Sequence, residues 1–378
     1  MKKIITLGLS GLALLAGCRA TLPKTTQQAV TTITFGSCND QKRPQPLWDD
    51  IVAQKPDVWI WLGDNIYGDT ENMDTLRAKY ARQKAHPVYQ QLRQSTPILG
   101  VWDDHDYGVN DGGKEYPRRK ESQQLMLDFL DVPANSPLRK QEGAYSAHTY
   151  GPKSQRVKII LLDARYFRDP LKKEGKTNVP NPTGDMLGEA QWIWLEQQLT
   201  NSDADVHLIG SGVQVLPEEH VYEKWANFPA SRQRLLDLLT KTKPNRTLLL
   251  SGDRHIAEVS KVSVPGLNYD LFDITSSGLT HVSQPRVEPN KHRVGELVAK
   301  VNYGLITINW AEKPLTVTVN INGDNQATYL TQAITFQGLR EWTAFANGTP
   351  MRFPVNWDQR YIIGSSMIIN EPVMSSPN

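Results

Sequence analysis

Short runs of apolar residues recur along the chain, and each run stops at small or acidic residues. Runs of this length, bounded in this way, are typical of buried strands that lead into functional loops. The predicted strands span residues 32–35, 58–62, 97–102, 157–162, 206–210 and 247–250. The pattern therefore predicts a buried sheet whose strand ends carry polar side chains.

Amphipathic segments lie between these runs, with apolar residues at helical spacing. The predicted helices span residues 46–54, 75–93, 121–130, 189–199 and 231–240. Strands that alternate with helices favour an α/β fold with a central sheet. Two alternating runs at 303–310 and 315–321 predict a hairpin in a second, partly antiparallel sheet. We expect one domain over residues 31–337, followed by a peripheral segment over 338–378 that is rich in Asn and Pro.

The N-terminus has the pattern of a secretory signal. Lys2 and Lys3 precede an apolar stretch over residues 4–16, which is too short to span a membrane permanently. The segment 15–18, Leu-Ala-Gly-Cys, resembles a bacterial lipobox, in which the cysteine (here Cys18) is acylated. We therefore expect a lipoprotein signal peptide at 1–17 and a tether at 18–30; an ordinary signal peptide is the alternative. Arg19 stands where an Asp would favour the inner membrane, so the resemblance implies the periplasmic face of the outer membrane.

Charge and cysteine content narrow the functional classes. The 378 residues include 42 Lys and Arg against 40 Asp and Glu, and removing Lys2 and Lys3 balances them. A neutral chain is not a broadly basic nucleic-acid binder. Two cysteines exclude a disulfide-dense scaffold. If Cys18 is acylated, Cys38 is alone in an oxidising compartment, and it is buried, linked to another chain or bound to a metal.

Potential metal ligands stand at nearly every predicted strand end. Because the carboxyl ends of strands in α/β sheets gather ligands, we expect these side chains to converge. Neighbouring carboxylates repel one another unless a cation is present. The residues in question are Cys38, Asp64, Tyr67, Asp103, Asp104, His105, Asp106, Asp163, Asp253 and His255. A metal centre is the expectation, whereas any one of these residues alone would indicate a turn or a helix cap.

Five motifs in one order make the chain similar to a known family. They are Gly36-Ser37-Cys38, Gly63-Asp64-x-x-Tyr67, Trp102-Asp103-Asp104-His105-Asp106, Leu161-Leu162-Asp163-x-Arg165 and Ser251-Gly252-Asp253-x-His255-x-Ala257-Glu258. This order resembles the PhoD-like alkaline phosphatases, which are calcineurin-like metallophosphoesterases related to purple acid phosphatases. The resemblance runs from about residue 31 to residue 310. It implies a four-layer α-β-β-α sandwich with two packed mixed sheets.

The resemblance also implies metal ligands. Asp64 corresponds to a carboxylate that bridges two metals, while Cys38, Tyr67 and His255 correspond to ligands of an iron-type site. Asp104 and Asp253 correspond to ligands of a second metal, at a site rich in oxygen ligands that suits Ca²⁺, Mg²⁺ or Mn²⁺. The family's usage implies Fe³⁺ in the first site and Ca²⁺ in the second, with Zn²⁺ a further alternative.

The same resemblance implies a mechanism in which a metal-bound hydroxide attacks phosphorus in line. His105 corresponds to the histidine that contacts the phosphate and assists the leaving group. Arg254 and Arg165 are candidates for contact with the phosphate oxygens, since a guanidinium matches phosphate geometry. For Arg165, a structural ion pair with Asp163 is the alternative.

The roles of four other residues remain open. Asp106 orients His105 or binds calcium, and Asp103 is a further candidate metal ligand. The family has one more ligand, a histidine between the middle strand and the last motif, and this sequence has no clear match for it. Gln214 is the nearest candidate and His220 is another.

We expect a phosphoric monoester or diester hydrolase. Its partners would be the phosphate ester substrate and, through the N-terminal lipid only, a membrane; nucleic acid is expected only as a possible substrate. One alternative is a non-catalytic envelope lipoprotein that binds metal or phosphate, which the presence of His105 argues against. The other is a hydrolase of sulfate esters, lactones or nucleic-acid ends.

Overall fold

The computed structural model describes residues 28–284 and 288–336, together with the backbone of two strands at 342–346 and 349–353. The predicted signal peptide at 1–17, Cys18 and most of the tether lie outside the described residues. The same is true of the peripheral segment at 338–378, apart from those two strands. Among the described helices, none is both long enough and apolar enough to cross a membrane.

Two large mixed sheets form the centre of the fold. The first has six strands in the order β15-β14-β13-β1-β2-β3, and the second has seven in the order β12-β10-β11-β9-β8-β5-β4. The strands of the first sheet are β1 (Thr32–Gly36), β2 (Val58–Leu62), β3 (Ile98–Val101), β13 (Tyr303–Asn309), β14 (Thr316–Asn322) and β15 (Thr328–Thr335). Those of the second are β4 (Ser146–Tyr150), β5 (Val157–Leu162), β8 (Val206–Ser211), β9 (Thr247–Ser251), β10 (Ala257–Ser263), β11 (Asp270–Ser276) and β12 (Arg293–Val298).

Two small hairpins complete the described strands: β6 (Lys172–Glu174) with β7 (Thr177–Val179), and β16 (Trp342–Ala346) with β17 (Thr349–Phe353). The helices are α1 (Trp48–Ala53), α2 (Met73–Lys84), α3 (Pro87–Ser95), α4 (Asp104–Tyr107), α5 (Arg119–Phe129), α6 (Glu189–Leu199) and α7 (Pro229–Thr242). Short 3-10 helices lie at Pro137–Arg139 and Trp225–Asn227.

Strand β2 shows why both faces of each sheet are buried. Its five residues, VWIWL, are all buried, so alternate side chains must enter two different apolar layers. Trp59 and Trp61 pack on Trp48 of α1, with ring centroids 5.2 and 5.4 Å apart. On the other sheet, α6 and α7 pack over β5 and β8, where Trp192 and Leu235 share a core with Ile160 and Ile209. Helices thus cover the outer faces of two facing sheets.

The structure confirms the α/β fold with two packed mixed sheets and corrects two local predictions. The helix predicted over 75–93 is two helices, because Pro87 begins α3 and a proline cannot continue the hydrogen bonds of α2. The hairpin of β13 and β14 was assigned to a second sheet. It belongs instead to the first, since β13 pairs antiparallel with β1.

Candidate metal centre

The proposed ligands converge where β1, β2, β3 and β9 end. Strands β1, β2 and β3 are mutually parallel, so their carboxyl ends meet at one edge of the first sheet. The end of β9 lies beside them: a side chain on Gly252 would come within 2.6 Å of the carbonyl oxygen of Leu62. The absence of a side chain there allows the loops of the two sheets to approach each other.

Four residues proposed as ligands have left-handed backbone conformations. The φ angles are 60° at Cys38, 48° at Asp64, 70° at Asp253 and 53° at His255. Residues other than glycine adopt this region rarely, and such conformations cluster at functional sites. The loops therefore turn sharply enough to aim consecutive strand ends at one place.

The first ligand group consists of Cys38, Asp64 and His255. Their ligand atoms lie within 4.8 Å of one another. The thiol of Cys38 lies 3.3 Å from a carboxylate oxygen of Asp64 and 3.0 Å from the hydroxyl of Ser277. The Tyr67 hydroxyl is 3.3 Å from the same Asp64 oxygen and 2.9 Å from Nε2 of His255. The four residues predicted for the first metal site are therefore together.

Two further groups continue from the first. Within the described residues, ligand atoms also lie within 4.8 Å of one another in Asp64–Asp104–His105 and in Asp103–Asp104–Asp253. Asp64 belongs to the first and second groups, and Asp104 belongs to the second and third. The three groups thus form one continuous chain, in which Asp64 joins the first group to the second and Asp104 joins the second to the third.

Burial of these carboxylates makes their ionised forms costly. Burial and the neighbouring Asp104 raise the pKa of Asp64 well above its usual range. The same two causes raise the pKa of Asp253 to about 7. Burial also raises the pKa of the Cys38 thiol, with Asp64 adding to the effect. Bound cations would stabilise the ionised carboxylates and thiolate and so lower these pKa values again. The donor set therefore fits metal ions.

The two histidines at the centre have opposite environments. Burial, with His281 and His105 nearby, lowers the pKa of His255 to about 3, which keeps its ring neutral and able to bind a metal. Burial alone would lower the pKa of His105, but a hydrogen bond to Asp69 raises it above its ordinary value. Nδ1 of His105 lies 2.6 Å from the Asp69 carboxylate. The other ring nitrogen, Nε2, is left for a substrate.

The Asp106 carboxylate contacts backbone N–H groups, whereas Asp69 holds the His105 ring, and the calcium-binding role of Asp106 stays a prediction. Its carboxylate accepts backbone N–H groups from Asp103 at 2.8 Å, Asp64 at 3.2 Å and Asn65 at 3.3 Å. Asp106 is fully buried, and burial raises its pKa to about 7. It therefore fixes the two metal-site loops relative to each other, and it orients backbone rather than His105.

Arg165 also differs from the expectation that it contacts phosphate, and Asp163 accepts its backbone N–H at 2.9 Å, whereas its guanidinium pairs with other carboxylates. It is fully buried, its Nε and Nη2 each lie 2.6 Å from Asp103, and its Nη1 lies 2.7 Å from Glu223. Arg168 shares the same Glu223 carboxylate at 3.0 Å. Arg165 thus stabilises Asp103, a member of the third ligand group, from the protein interior.

Arg254 is 5% exposed and lies beside the centre. Its guanidinium lies over the Tyr222 ring at 3.9 Å and pairs with Glu288. Together with Asp104, His105, Asp253 and His255, it borders a cleft of about 240 Å³. A cation at the mouth of such a cleft can contact a phosphate group.

The structure also describes the two other candidate ligands, Gln214 and His220. The Gln214 amide donates to Glu258 at 2.8 Å and to Thr275 at 2.7 Å, and the side chain is fully buried. His220 is 3% exposed, and neither ring nitrogen has a hydrogen-bond partner among the described residues. The three ligand groups above do not include His220.

Sequence reasoning missed several residues of the site. Asp69 lies two residues beyond the Tyr67 motif, and its role depends on a contact across 36 positions. His281 follows β11, and its Nε2 lies 3.1 Å from the Tyr67 hydroxyl. Ser277 contacts Cys38 and accepts the backbone N–H of His255 at 3.0 Å. A second small-residue strand end, Ser276-Ser277-Gly278, was the available signal for the last two.

Comparisons with known proteins agree with this geometry. Alkaline phosphatase D of Bacillus subtilis (strain 168) is 23% identical over 291 residues, which cover 65% of this chain and 48% of that protein. The chain thus spans about half the length of this curated relative. A solved structure of PhoD matches 83% of this chain and 70% of its own, with a TM-score of 0.67 and 18% identity.

A purple acid phosphatase from yellow lupin (Lupinus luteus) seeds shares the fold at 12% identity. It covers 83% of this chain and 55% of its own, with a TM-score of 0.55. The family model for the PhoD-like phosphatase matches residues 33–300, which include every ligand group described above. The chain therefore belongs to the PhoD-like phosphatase family.

Proposed function

We propose that this chain hydrolyses phosphoric esters at a centre of two or more metal ions. The observation that carries the proposal is the continuous chain of buried ligand groups that share Asp64 and Asp104. A structural metal site is normally closed by four ligands, whereas this chain of groups opens on a cleft beside His105 and Arg254. The membership in the PhoD-like phosphatase family supports the same reaction.

The ligand types suggest which metals each end would hold. Cys38, Tyr67 and His255, with Asp64, offer sulfur, phenolate oxygen and nitrogen, which suits Fe³⁺. Asp104, Asp253 and Asp103 offer oxygen alone, which suits Ca²⁺, Mg²⁺ or Mn²⁺. Bound cations would supply the Lewis acidity that makes water nucleophilic near neutral pH and would neutralise charge on the phosphate.

The protein's own residues supply the remaining steps. Arg254, held against Tyr222 and Glu288, binds a phosphate oxygen at the mouth of the cleft. Asp69 holds Nδ1 of His105, so Nε2 is positioned to give a proton to the leaving oxygen. Asp106, Arg165 and Glu223 keep the metal-site loops in place without touching the substrate.

We also propose that the enzyme is anchored in the bacterial envelope by a lipid on Cys18. The lipobox-like segment and the polar tether that follows it support an anchored protein on the periplasmic face of the outer membrane. Incorporation of a labelled fatty acid into the wild-type protein and its absence from Cys18→Ser would support this. Equal labelling of both proteins would contradict it.

The decisive experiment compares Asp64→Asn with a matched surface variant, Asp203→Asn, in protein of defined metal content. Turnover of a chromogenic phosphate monoester and diester is measured, since the two substrates separate phosphatase from phosphodiesterase activity. We expect Asp64→Asn to lose at least about 100-fold in kcat/KM and part of its metal, because Asp64 joins two ligand groups. Asp203 is exposed, so its variant should behave like the wild type. Equal activity in both variants would refute the proposal.

The iron assignment has a test of its own. We expect a visible charge-transfer band in the iron-loaded protein, and we expect Cys38→Ser to shift or abolish it because the thiolate is lost. Elemental analysis of the same samples measures the iron. An active, colourless and iron-free protein would contradict the assignment. A protein that binds metal and phosphate without turnover would instead favour a non-catalytic binding protein.

A further inference from the structure

The hairpin of β6 and β7 lines part of the cleft. Lys173, Lys176 and Asn178 of this hairpin line the cleft together with Val221 and Tyr222. Both lysines are exposed. The reaction assigned above uses none of these five residues to hold metal or to move a proton, although Tyr222 packs on Arg254.

The hairpin is fixed in place and connected to the centre. The backbone N–H of Asn178 donates to the Val221 carbonyl at 3.1 Å, and Asn227 donates to the Asn178 carbonyl at 3.0 Å. Lys173 bonds Asp111 at 2.6 Å, and the Asp111 backbone N–H donates to Asp104 at 2.7 Å. The hairpin that carries the two lysines is therefore held at a defined position relative to Asp104, a candidate metal ligand.

Of the two lysines that line the cleft, only Lys176 has no carboxylate partner among the described residues. Asp111 is paired with Lys173, and Glu223 lies between Arg165 and Arg168. Among the residues that the structure describes, no carboxylate lies within 4 Å of Lys176, whose side chain is exposed at the rim of the cleft. An anion that reaches the rim would therefore meet an uncompensated ammonium group.

The part of the cleft next to the hairpin has exposed apolar side chains. Val221 is 48% exposed and Tyr222 is 53% exposed, and large apolar side chains exposed to this extent are few in the described protein. Because Arg254 lies against the Tyr222 ring, this part of the cleft begins next to the proposed phosphate contact. A carbon chain that leaves the phosphate can thus cover Val221 and Tyr222 before it reaches the lysines.

From these contacts we infer a distal anion subsite at Lys176, which selects phosphate esters whose leaving group carries a second anionic group beyond an apolar linker. This inference deepens the proposed function and rests on the phosphate being held at the metal centre. The linker lies along Val221 and Tyr222. The distal carboxylate or phosphate pairs with Lys176.

The test measures binding, so it does not require turnover. Calorimetry on the metal-loaded protein compares alkylphosphonates with ω-carboxyalkylphosphonates of the same chain length, over a short series of lengths. At low salt we expect the carboxylated compound of best length to bind about two- to fivefold more tightly, as one exposed ion pair would give. The preference should disappear at high salt.

Lys176→Glu and Lys172→Glu form a matched pair, since both reverse one exposed charge on the same hairpin and only Lys176 lines the cleft. We expect the first variant to lose the preference and the second to keep it. No preference in the wild type, or the same loss in both variants, would overturn the inference, as would failure to bind either phosphonate. A protein that shows the preference but hydrolyses no ester would refute the proposed function and leave the subsite standing.

Discussion

At the scale of single residues, the site combines groups that require very different environments. Cys38 and Asp64 are buried together, although both prefer to be neutral there. His105 sits partly open to the cleft and is held by Asp69. The difference separates residues that hold cations from the residue that handles a proton.

Replacing Asp69 tests this separation. In Asp69→Asn we expect kcat to fall about 10- to 100-fold while the metal content stays unchanged, because His105 loses the carboxylate that orients its ring. The loss should be smaller for a substrate whose leaving group needs no proton, such as a nitrophenolate. Steady-state kinetics with alkyl and nitrophenyl esters, with elemental analysis beside them, make the comparison. An equal loss on both esters would mean that Asp69 has only a structural role.

The sequence predicted that the candidate ligand side chains lie close together, and the reason is physical. Cys38, Asp64, Asp104, Asp253 and His255 each follow a short apolar run, and the ends of parallel strands meet at one edge. Asp69 and His281 could not be predicted in this way, since their roles depend on contacts across 36 and 214 positions. Local pattern also could not show that Arg165 is buried, because that depends on Glu223.

At the scale of the elements, a buried ionic network joins the loop after β5 to the loop after β8. Glu223 accepts a hydrogen bond from Arg165 at 2.7 Å and forms an ion pair with Arg168 at 3.0 Å, and all three side chains are almost fully buried. The network ends at Asp103 in the loop after β3. Three loops from two sheets are thus tied together behind the metal ligands.

Glu223→Gln should destabilise the fold by about 3–5 kcal/mol, since it leaves two buried guanidinium groups with less compensation. Denaturant unfolding measures the change in free energy. The matched control is Glu189→Gln, which breaks an exposed pair with Arg234 and should cost far less. Similar losses in the two variants would show that the buried network contributes no more than a surface pair.

The apolar pattern predicted some strands correctly and missed others. The apolar strands β2 and β5 were predicted with correct bounds because both faces of each are buried. Strands β10, β11 and β12 were missed, since their apolar pattern is interrupted by polar residues such as Glu258 and Asp273. These two carboxylates are buried in contact with Gln214, Arg293 and Ser251, and only the tertiary structure provides those partners.

At the scale of the whole molecule, cation binding and folding are linked. Asp253 and Asp106 have pKa values of about 7 in the folded chain, against about 3.9 when unfolded. A carboxyl whose pKa is raised on folding stabilises the fold below its unfolded pKa, and this contribution is lost as the pH rises through the folded value. His255 acts in the opposite direction, but only below about pH 6.5, where the unfolded chain protonates it.

We therefore expect the chelated protein to lose thermal stability between about pH 6.5 and 8.5, by about 2 °C or more. Calcium or manganese should restore the melting temperature most strongly at the alkaline end, because cations bind the ionised carboxylates. Calorimetric melting curves with and without metal measure both effects. A chelated protein whose stability rises over this range would contradict the argument.

The left-handed backbone at four ligand positions has a consequence for mutational scanning. Asparagine and aspartate adopt this conformation more readily than alanine does, so Asp64→Asn and Asp253→Asn remove charge and keep the local chain path. Alanine at the same positions adds backbone strain of about 1 kcal/mol. An alanine scan of these loops would mix the loss of a ligand with displacement of its neighbours, whereas an asparagine scan would report the ligand alone.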